Sequence, residues 1–224
     1  MATQLDLQEQ EQLDALKAFW NQYGNLVTWV LVLVLGAYAA WNGWNWYQAD
    51  QATKASAMFD ALDSAATAGD ADKAGRVFGD LKERFPGTAF AQQGALAAAK
   101  VQFDKGQVDA ARASLAWAAD NGPEEELRTM ARLRLAGLLM GLKQYDEALK
   151  QLDAAKAPTF EGLVADRRGD VLFAAGKKEE AKAAWQAAWK AMDPKDGYRT
   201  LVEAKLTAQG VPPAPPAAAS GAGS

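Results

Sequence analysis

Apolar positions follow two regimes along the chain. The first is an unbroken block. Residues 26–47 read LVTWVLVLVLGAYAAWNGWNWY, and no charged residue occurs between Lys17 and Asp50. A helix over 26–46, rising about 1.5 Å per residue, would be roughly 31 Å long, which matches a hydrocarbon core of about 30 Å. Trp20 and Tyr23 stand before the block, and Trp41, Trp44, Trp46 and Tyr47 crowd its far end. Indole and phenol rings prefer the headgroup level, so these six mark the two edges of a span. The pattern predicts a transmembrane helix over residues 25–47. A buried core helix is the competing reading, but such a helix seldom runs this long without a charge.

A cleaved signal peptide is the nearer rival, because Ala37-Tyr38-Ala39 fits a small-x-small cleavage site. A signal peptide opens with a positive segment. Here Asp6, Glu9, Glu11 and Asp14 stand against Lys17 alone, and a bulky aromatic run follows Ala40. An uncleaved anchor is expected, with the remainder of the chain on one side of the membrane. Lys17 on one flank and Lys54 on the other leave the charge rule for orientation silent.

The second regime is amphipathic and helical. Residues 1–23 place Leu5, Leu13, Leu16, Phe19 and Trp20 at helical offsets, with Gly24 and Asn25 marking a break before the span. Beyond the span the helix is expected to run on through Ala52, Ala55, Phe59 and Leu62 to a stop at Gly69-Asp70. Then a pattern recurs. GDADKA ending at Ala74, GQVDAA ending at Ala111, KQYDEA ending at Ala148 and GKKEEA ending at Ala181 each carry an acid two residues before the last alanine. The final alanines are 37, 37 and 33 residues apart. Four residues beyond each comes a large apolar residue: Phe78, Leu115, Leu152 or Trp185.

That pattern describes helical hairpins. Glycine takes the positive φ that ends one helix, and the acid sits in the first turn of the next, where the helix dipole favours it. The alanine lets two helices approach closely, and the large residue one turn later fills the layer beside it. The chain after the span resembles the tetratricopeptide repeat, whose unit is about 34 residues. In that register the eighth positions are Ala99, Ala136 and Gly169, and Pro86 stands where a closing proline belongs. Arg168 departs from the pattern at a position that is usually apolar. The resemblance implies an all-α fold: one N-terminal transmembrane helix followed by a tetratricopeptide-repeat-like α-solenoid. Ala74, Ala111, Ala148, Ala181 and Gly169 would be its packing residues. Residues 198–208 would cap the last apolar face, and terminal caps are what such arrays require.

Composition narrows the function. The chain has 224 residues, a net charge of −4, no histidine and no cysteine. Histidine-based acid–base catalysis, cysteine nucleophiles and the common zinc sites are therefore excluded. The acidic balance lacks the footprint of a nucleic-acid binder. Gly176-Lys177 lacks the upstream glycine of a phosphate loop. No enzyme activity, cofactor or small-molecule substrate is expected. The domain boundaries expected are 1–24 for a short segment before the span, 25–47 for the span, 48–209 for the helical domain and 210–224 for a disordered Pro/Ala-rich tail.

An acidic N-terminal segment, one aromatic-edged span and a degenerate repeat array together resemble the family of ancillary subunits of the SecYEG translocon. The likeness is strongest in LVADRRGD at 163–170, in Gly176 with Ala181 and Trp185, and in RLRLA at 132–136 leading to LKQ at 142–144. The resemblance implies a bacterial inner-membrane protein with a cytoplasmic N-terminus and a periplasmic domain. It implies partnership with the translocon and with a membrane-anchored prolyl-isomerase-like chaperone, in handing exported proteins to periplasmic chaperones. It carries no catalytic residues. An accessory or regulatory subunit of another cell-envelope complex or stress-response pathway is the alternative.

The repeat register also picks out a candidate partner groove. Its twelfth positions are Phe103, Met140 and Phe173, its fifth are Leu96, Leu133 and Asp166, and its ninth are Lys100, Gly137 and Asp170. The twelfth-position stripe either lines a wall that captures a chain segment or packs as core against the next unit's helix. Two basic clusters, Arg128 with Arg132 and Arg134, and Arg167 with Arg168, are read as helix-dipole complements and surface pairs.

Overall fold

The computed structural model describes residues 7–212. The described residues fall into two compact units that part between Gln51 and Ala52. The tail expected over 210–224 lies, from residue 213 on, outside the described residues.

Helix α1 runs without interruption over Leu7–Thr67. The break expected at Gly24-Asn25 is therefore not made. A glycine inside a helix costs only about 1 kcal/mol relative to alanine, too little to stop helix that continues favourably on both sides. The Thr28 hydroxyl donates to the Gly24 carbonyl at 2.8 Å, and the Trp20 indole lies over the missing side chain. Within the first unit the apolar side chains of α1 are exposed, from Leu26 and Trp29 to Trp46. This helix is long and apolar enough to cross a membrane.

The second unit begins with the end of α1, where Ala55, Leu62 and Ala65 are buried. Hairpins follow in order: the end of α1 with α2 (Ala71–Arg84), α3 (Ala89–Asp104) with α4 (Val108–Asp120), α5 (Glu125–Gly141) with α6 (Tyr145–Asp153), and α7 (Glu161–Ala174) with α8 (Lys178–Ala191), after which comes α9 (Arg199–Ala208). A 3-10 turn, Pro158–Phe160, precedes α7. Packing runs between chain neighbours and between alternate helices, α3 with α5 and α5 with α7. Contact concentrated between near neighbours is the organisation of a repeat array.

Four turns close the hairpins in one way. Asp70, Gln107, Gln144 and Lys177 each donate a backbone N–H to the carbonyl five residues back, at 2.8–2.9 Å. The residue before each takes a positive φ: Gly69 at 71°, Gly106 at 76°, Lys143 at 59° and Gly176 at 81°. This satisfies carbonyls that a helix end would otherwise leave without partners. Asp72, Asp109, Asp146 and Glu179 then stand in the first turns of α2, α4, α6 and α8.

Ala74, Ala111, Ala148 and Ala181 are all fully buried, and Phe78, Leu115, Leu152 and Trp185 fill the layer one turn on. A Cβ on Gly169 would overlap the Trp185 indole, so the glycine makes room for the ring. Most buried side chains join one apolar core that reaches from Ala55 to Val171. A smaller core joins α7, α8 and α9 through Leu172, Trp185, Val202 and Leu206. The capping helix expected over 198–208 is α9, which turns Val202 and Leu206 fully inward.

Candidate partner-docking surface

Two surfaces bear on function. The first is the exposed aromatic belt of α1, with Trp20 and Tyr23 toward one end and Trp41, Trp44, Trp46 and Tyr47 toward the other. The second lies in the helical array, along α3, α5 and α7.

The three twelfth-position residues have different surroundings. Phe103, near the end of α3, is 55% exposed and lines a solvent-open cavity of about 430 Å³. Met140 is half-buried against the main core. Phe173 is 39% exposed and lies beside Trp185, with ring centroids 5.6 Å apart. The cavity beside Phe103 has an apolar floor of Leu96, Leu115 and Leu138. Lys100, Asp104, Arg134 and Arg167 bring charge to its walls.

The arginines of the two basic clusters have different fates. Arg128 pairs with Glu125 at 2.6 Å and donates to the Gly122 carbonyl at 2.7 Å. That contact holds the Glu125 carboxyl below its usual pKa, with the Arg128 hydrogen bond as the main cause. Arg132 donates to the Ala119 carbonyl at 2.7 Å, and Arg168 pairs with Asp153 at 2.6 Å. These three are the structural pairs the charge pattern predicts. Arg134 and Arg167 instead line the cavity, and among the described residues neither has a hydrogen bond or an ion pair. Both stand at the sixth position of their units, two residues before Ala136 and Gly169. That common position was the available signal, and it is hidden when the two clusters are read separately.

At α7 the fifth and ninth positions are closed off. Asp166, only 2% exposed, accepts from Lys205 of α9 at 2.8 and 2.9 Å and from the Tyr198 hydroxyl at 2.9 Å. Lys205 also donates to Asp170 at 2.6 Å, and the Trp185 indole N–H reaches the same oxygen at 3.2 Å. Burial first, and then the hydrogen bond to Asp166, push the Tyr198 phenol up to about 12. Lys205 is thus the counter-ion of two carboxylates that the sequence reading left without partners.

A second buried polar group sets the α4–α5 connection. The Gln92 side-chain amide donates to the Glu124 carbonyl at 3.1 Å and accepts from the Glu124 N–H at 3.2 Å. It occupies the space beside Gly122, whose φ is 93°. The pair pins the start of α5, and with it Arg134.

The model of the tetratricopeptide repeat-like domain matches residues 17–211, taking in both the apolar helix and the array. An ancillary SecYEG translocon subunit of Escherichia coli (strain K12) is 33% identical over 182 residues, covering 80% of this chain and 86% of that protein. The chain belongs to this family. The relative of the same name in Neisseria gonorrhoeae is 29% identical over 201 residues, covering 89% of this chain and 96% of that protein. A third, from Haemophilus influenzae, is 29% identical over 182 residues. The family's fold is therefore this one: a long apolar N-terminal helix followed by a repeat-like helical array.

Proposed function

We propose that this protein is a membrane-anchored interaction scaffold of the SecYEG translocon. In this reading α1 crosses the bacterial inner membrane once, with the N-terminal segment cytoplasmic and the helical array periplasmic. The array receives polypeptides and helps pass exported proteins to periplasmic chaperones, and a membrane-anchored prolyl-isomerase-like chaperone is one of its partners. It binds and positions; no bond is made or broken on it.

The observation that carries the reading is the extent of the family match, residues 17–211, which includes span and array together. The relatives named as ancillary SecYEG translocon subunits align over most of their own length. The aromatic belt supports a single seated span, since rings cluster toward both ends of the charge-free stretch. Chain-neighbour packing supports a binding surface built from successive helices.

Native purification from membranes in a mild detergent, followed by mass spectrometry, tests this reading. Translocon subunits and a membrane-anchored prolyl-isomerase-like protein are expected to co-purify in excess over a control anchored by an unrelated span. Recovery of a different envelope complex without translocon subunits would overturn it.

A further inference from the structure

We infer that the cavity between α3, α5 and α7 receives an acidic, apolar segment of a partner polypeptide. An apolar side chain of that segment rests on Leu96 and Leu138 beside Phe103, and its carboxylates pair with Arg134 and Arg167. The inference rests on the scaffold reading for the partner being a polypeptide, and adds to it the place and chemistry of the contact.

Three observations lead to it. The first is size. A cavity of about 430 Å³ falls within the range of about 300–1,000 Å³ that buries a compact ligand group. The second is the floor. Leu96, Leu115 and Leu138 offer an apolar surface, and Phe103 stands at its edge with more than half of its surface in solvent. An exposed ring beside an apolar floor gains by covering.

The third observation is charge. The walls carry three cations and one carboxylate, in a chain whose net charge is −4. The carboxylate, Asp104, is held by Lys100 at 2.7 Å. The remaining two cations, Arg134 and Arg167, have no ion pair or hydrogen bond among the described residues. Every other cation in the two arginine clusters is held by a carboxylate. Two guanidinium groups without acids of their own, flanking an apolar floor, are complementary to a segment in which acids flank an apolar side chain. Guanidinium suits this role because its planar fork meets a carboxylate through two parallel hydrogen bonds.

Gly137 adds to the fit. It lies on α5 one turn past Arg134, and a Cβ placed there would stand 3.4 Å from the Arg167 guanidinium. The Arg167 guanidinium of α7 thus lies in van der Waals reach of this ninth position, at the cavity wall. In the neighbouring unit the ninth position is Asp170, and it is occupied by Lys205. The ninth position of α7 is thus closed by Lys205, whereas that of α5 borders the open cavity.

The test uses full-length protein in nanodiscs of zwitterionic lipid and two short acetylated, amidated peptides. One alternates aspartate with leucine and phenylalanine; the other has asparagine in place of each aspartate. Calorimetric titration is expected to show the acidic peptide binding at least tenfold more tightly than the asparagine peptide, with affinity falling as salt is raised. An Arg134→Gln, Arg167→Gln double variant with an unchanged melt is expected to lose at least tenfold for the acidic peptide only. Equal affinity for both peptides, or no binding of either at millimolar concentration, overturns the inference whatever the variant's fold. Undiminished binding by the double variant also overturns it, as does preferential capture of phosphatidylglycerol vesicles. Co-purification of the translocon from the same membranes is scored separately. Its retention with failed peptide binding rejects the cavity alone, and its loss rejects the scaffold reading.

Discussion

Lys143 takes φ 59° at the turn between α5 and α6, where the three equivalent turns have glycine. A side chain in the left-handed region costs roughly 1–2 kcal/mol, whereas glycine adds about 0.4–1 kcal/mol of unfolded-chain entropy. Lys143→Gly is therefore expected to stabilise the array by about 0.5–1 kcal/mol, visible as a higher Tm in a thermal melt of otherwise identical samples. An unchanged or lower Tm would mean that Lys143 gains as much from its surroundings as the backbone loses. Ala148 makes the opposite case. It is fully buried on α6, and Ala136 on the adjoining α5 is fully buried as well. Ala148→Leu forces extra methylene groups into the packed layer between α5 and α6 and is expected to cost about 1–3 kcal/mol. Denaturant unfolding would show a lower midpoint; an unaltered midpoint would place Ala148 away from a helix contact. The spacing of small residues was legible in sequence because it recurs at every unit. The same recurrence put Lys143 in the slot that glycine holds in the other three segments, but a lysine by itself gives no sign of a left-handed backbone. Gly24 misled in the other direction: glycine reads as punctuation, yet inside a strong helix its penalty is small.

At the scale of elements, the capping helix is the piece whose hold is both apolar and ionic. Val202 and Leu206 bury one side of α9, and Lys205 joins Asp166 and Asp170 on α7. Lys205→Met would leave two carboxylates, one of them nearly fully buried, without their ammonium. Breaking a buried pair costs about 3–5 kcal/mol, and the partial exposure of Lys205 and Asp170 puts this case at the low end. Hydrogen exchange of the variant is expected to show faster exchange across α9, with α3 to α6 unaffected. Equal protection of α9 in both proteins would show that the apolar contacts alone retain it. Tyr198 adds a pH dependence. Its phenol is raised from 10 to about 12 by burial and by Asp166, with Asp170 acting the same way and Arg167 opposing. A raised folded-state pKa contributes stability that is complete below pH 10 and is lost as pH rises toward 12. The Tm of the wild type should therefore fall more steeply than that of Tyr198→Phe between pH 9.5 and about 12; parallel profiles would reject the contribution. The cap itself was readable from the apolar spacing of 198–208. Its ionic lock was not, because Lys205 and Asp166 lie 39 residues apart and only the fold brings them together. Arg134 and Arg167 were hidden for a related reason. A charge cluster in sequence states how many cations there are, and packing decides which find acids.

For the whole molecule, the division between a charge-free helix and an amphipathic array was the most legible feature. Each regime is written over dozens of residues and does not depend on any one of them. Orientation across the membrane is different, because it depends on a few flanking charges. Lys17 and Lys54 nearly balance, and acids count little in the rule that sets topology. The proposed periplasmic placement of the array therefore draws on kinship with translocon subunits, and it makes a direct prediction. Protease added to intact spheroplasts should digest the chain from Lys54 onward while leaving a membrane-protected fragment that contains the span. The protected fragment should retain Trp20 and Tyr23, which intact-mass analysis can establish. Digestion of the array only after lysis would put it in the cytoplasm. The cavity between α3, α5 and α7 would then face cytoplasmic rather than exported polypeptides. The hand-off to periplasmic chaperones would fail with that result, while the cavity's preference for acidic, apolar segments would stand or fall on its own measurement.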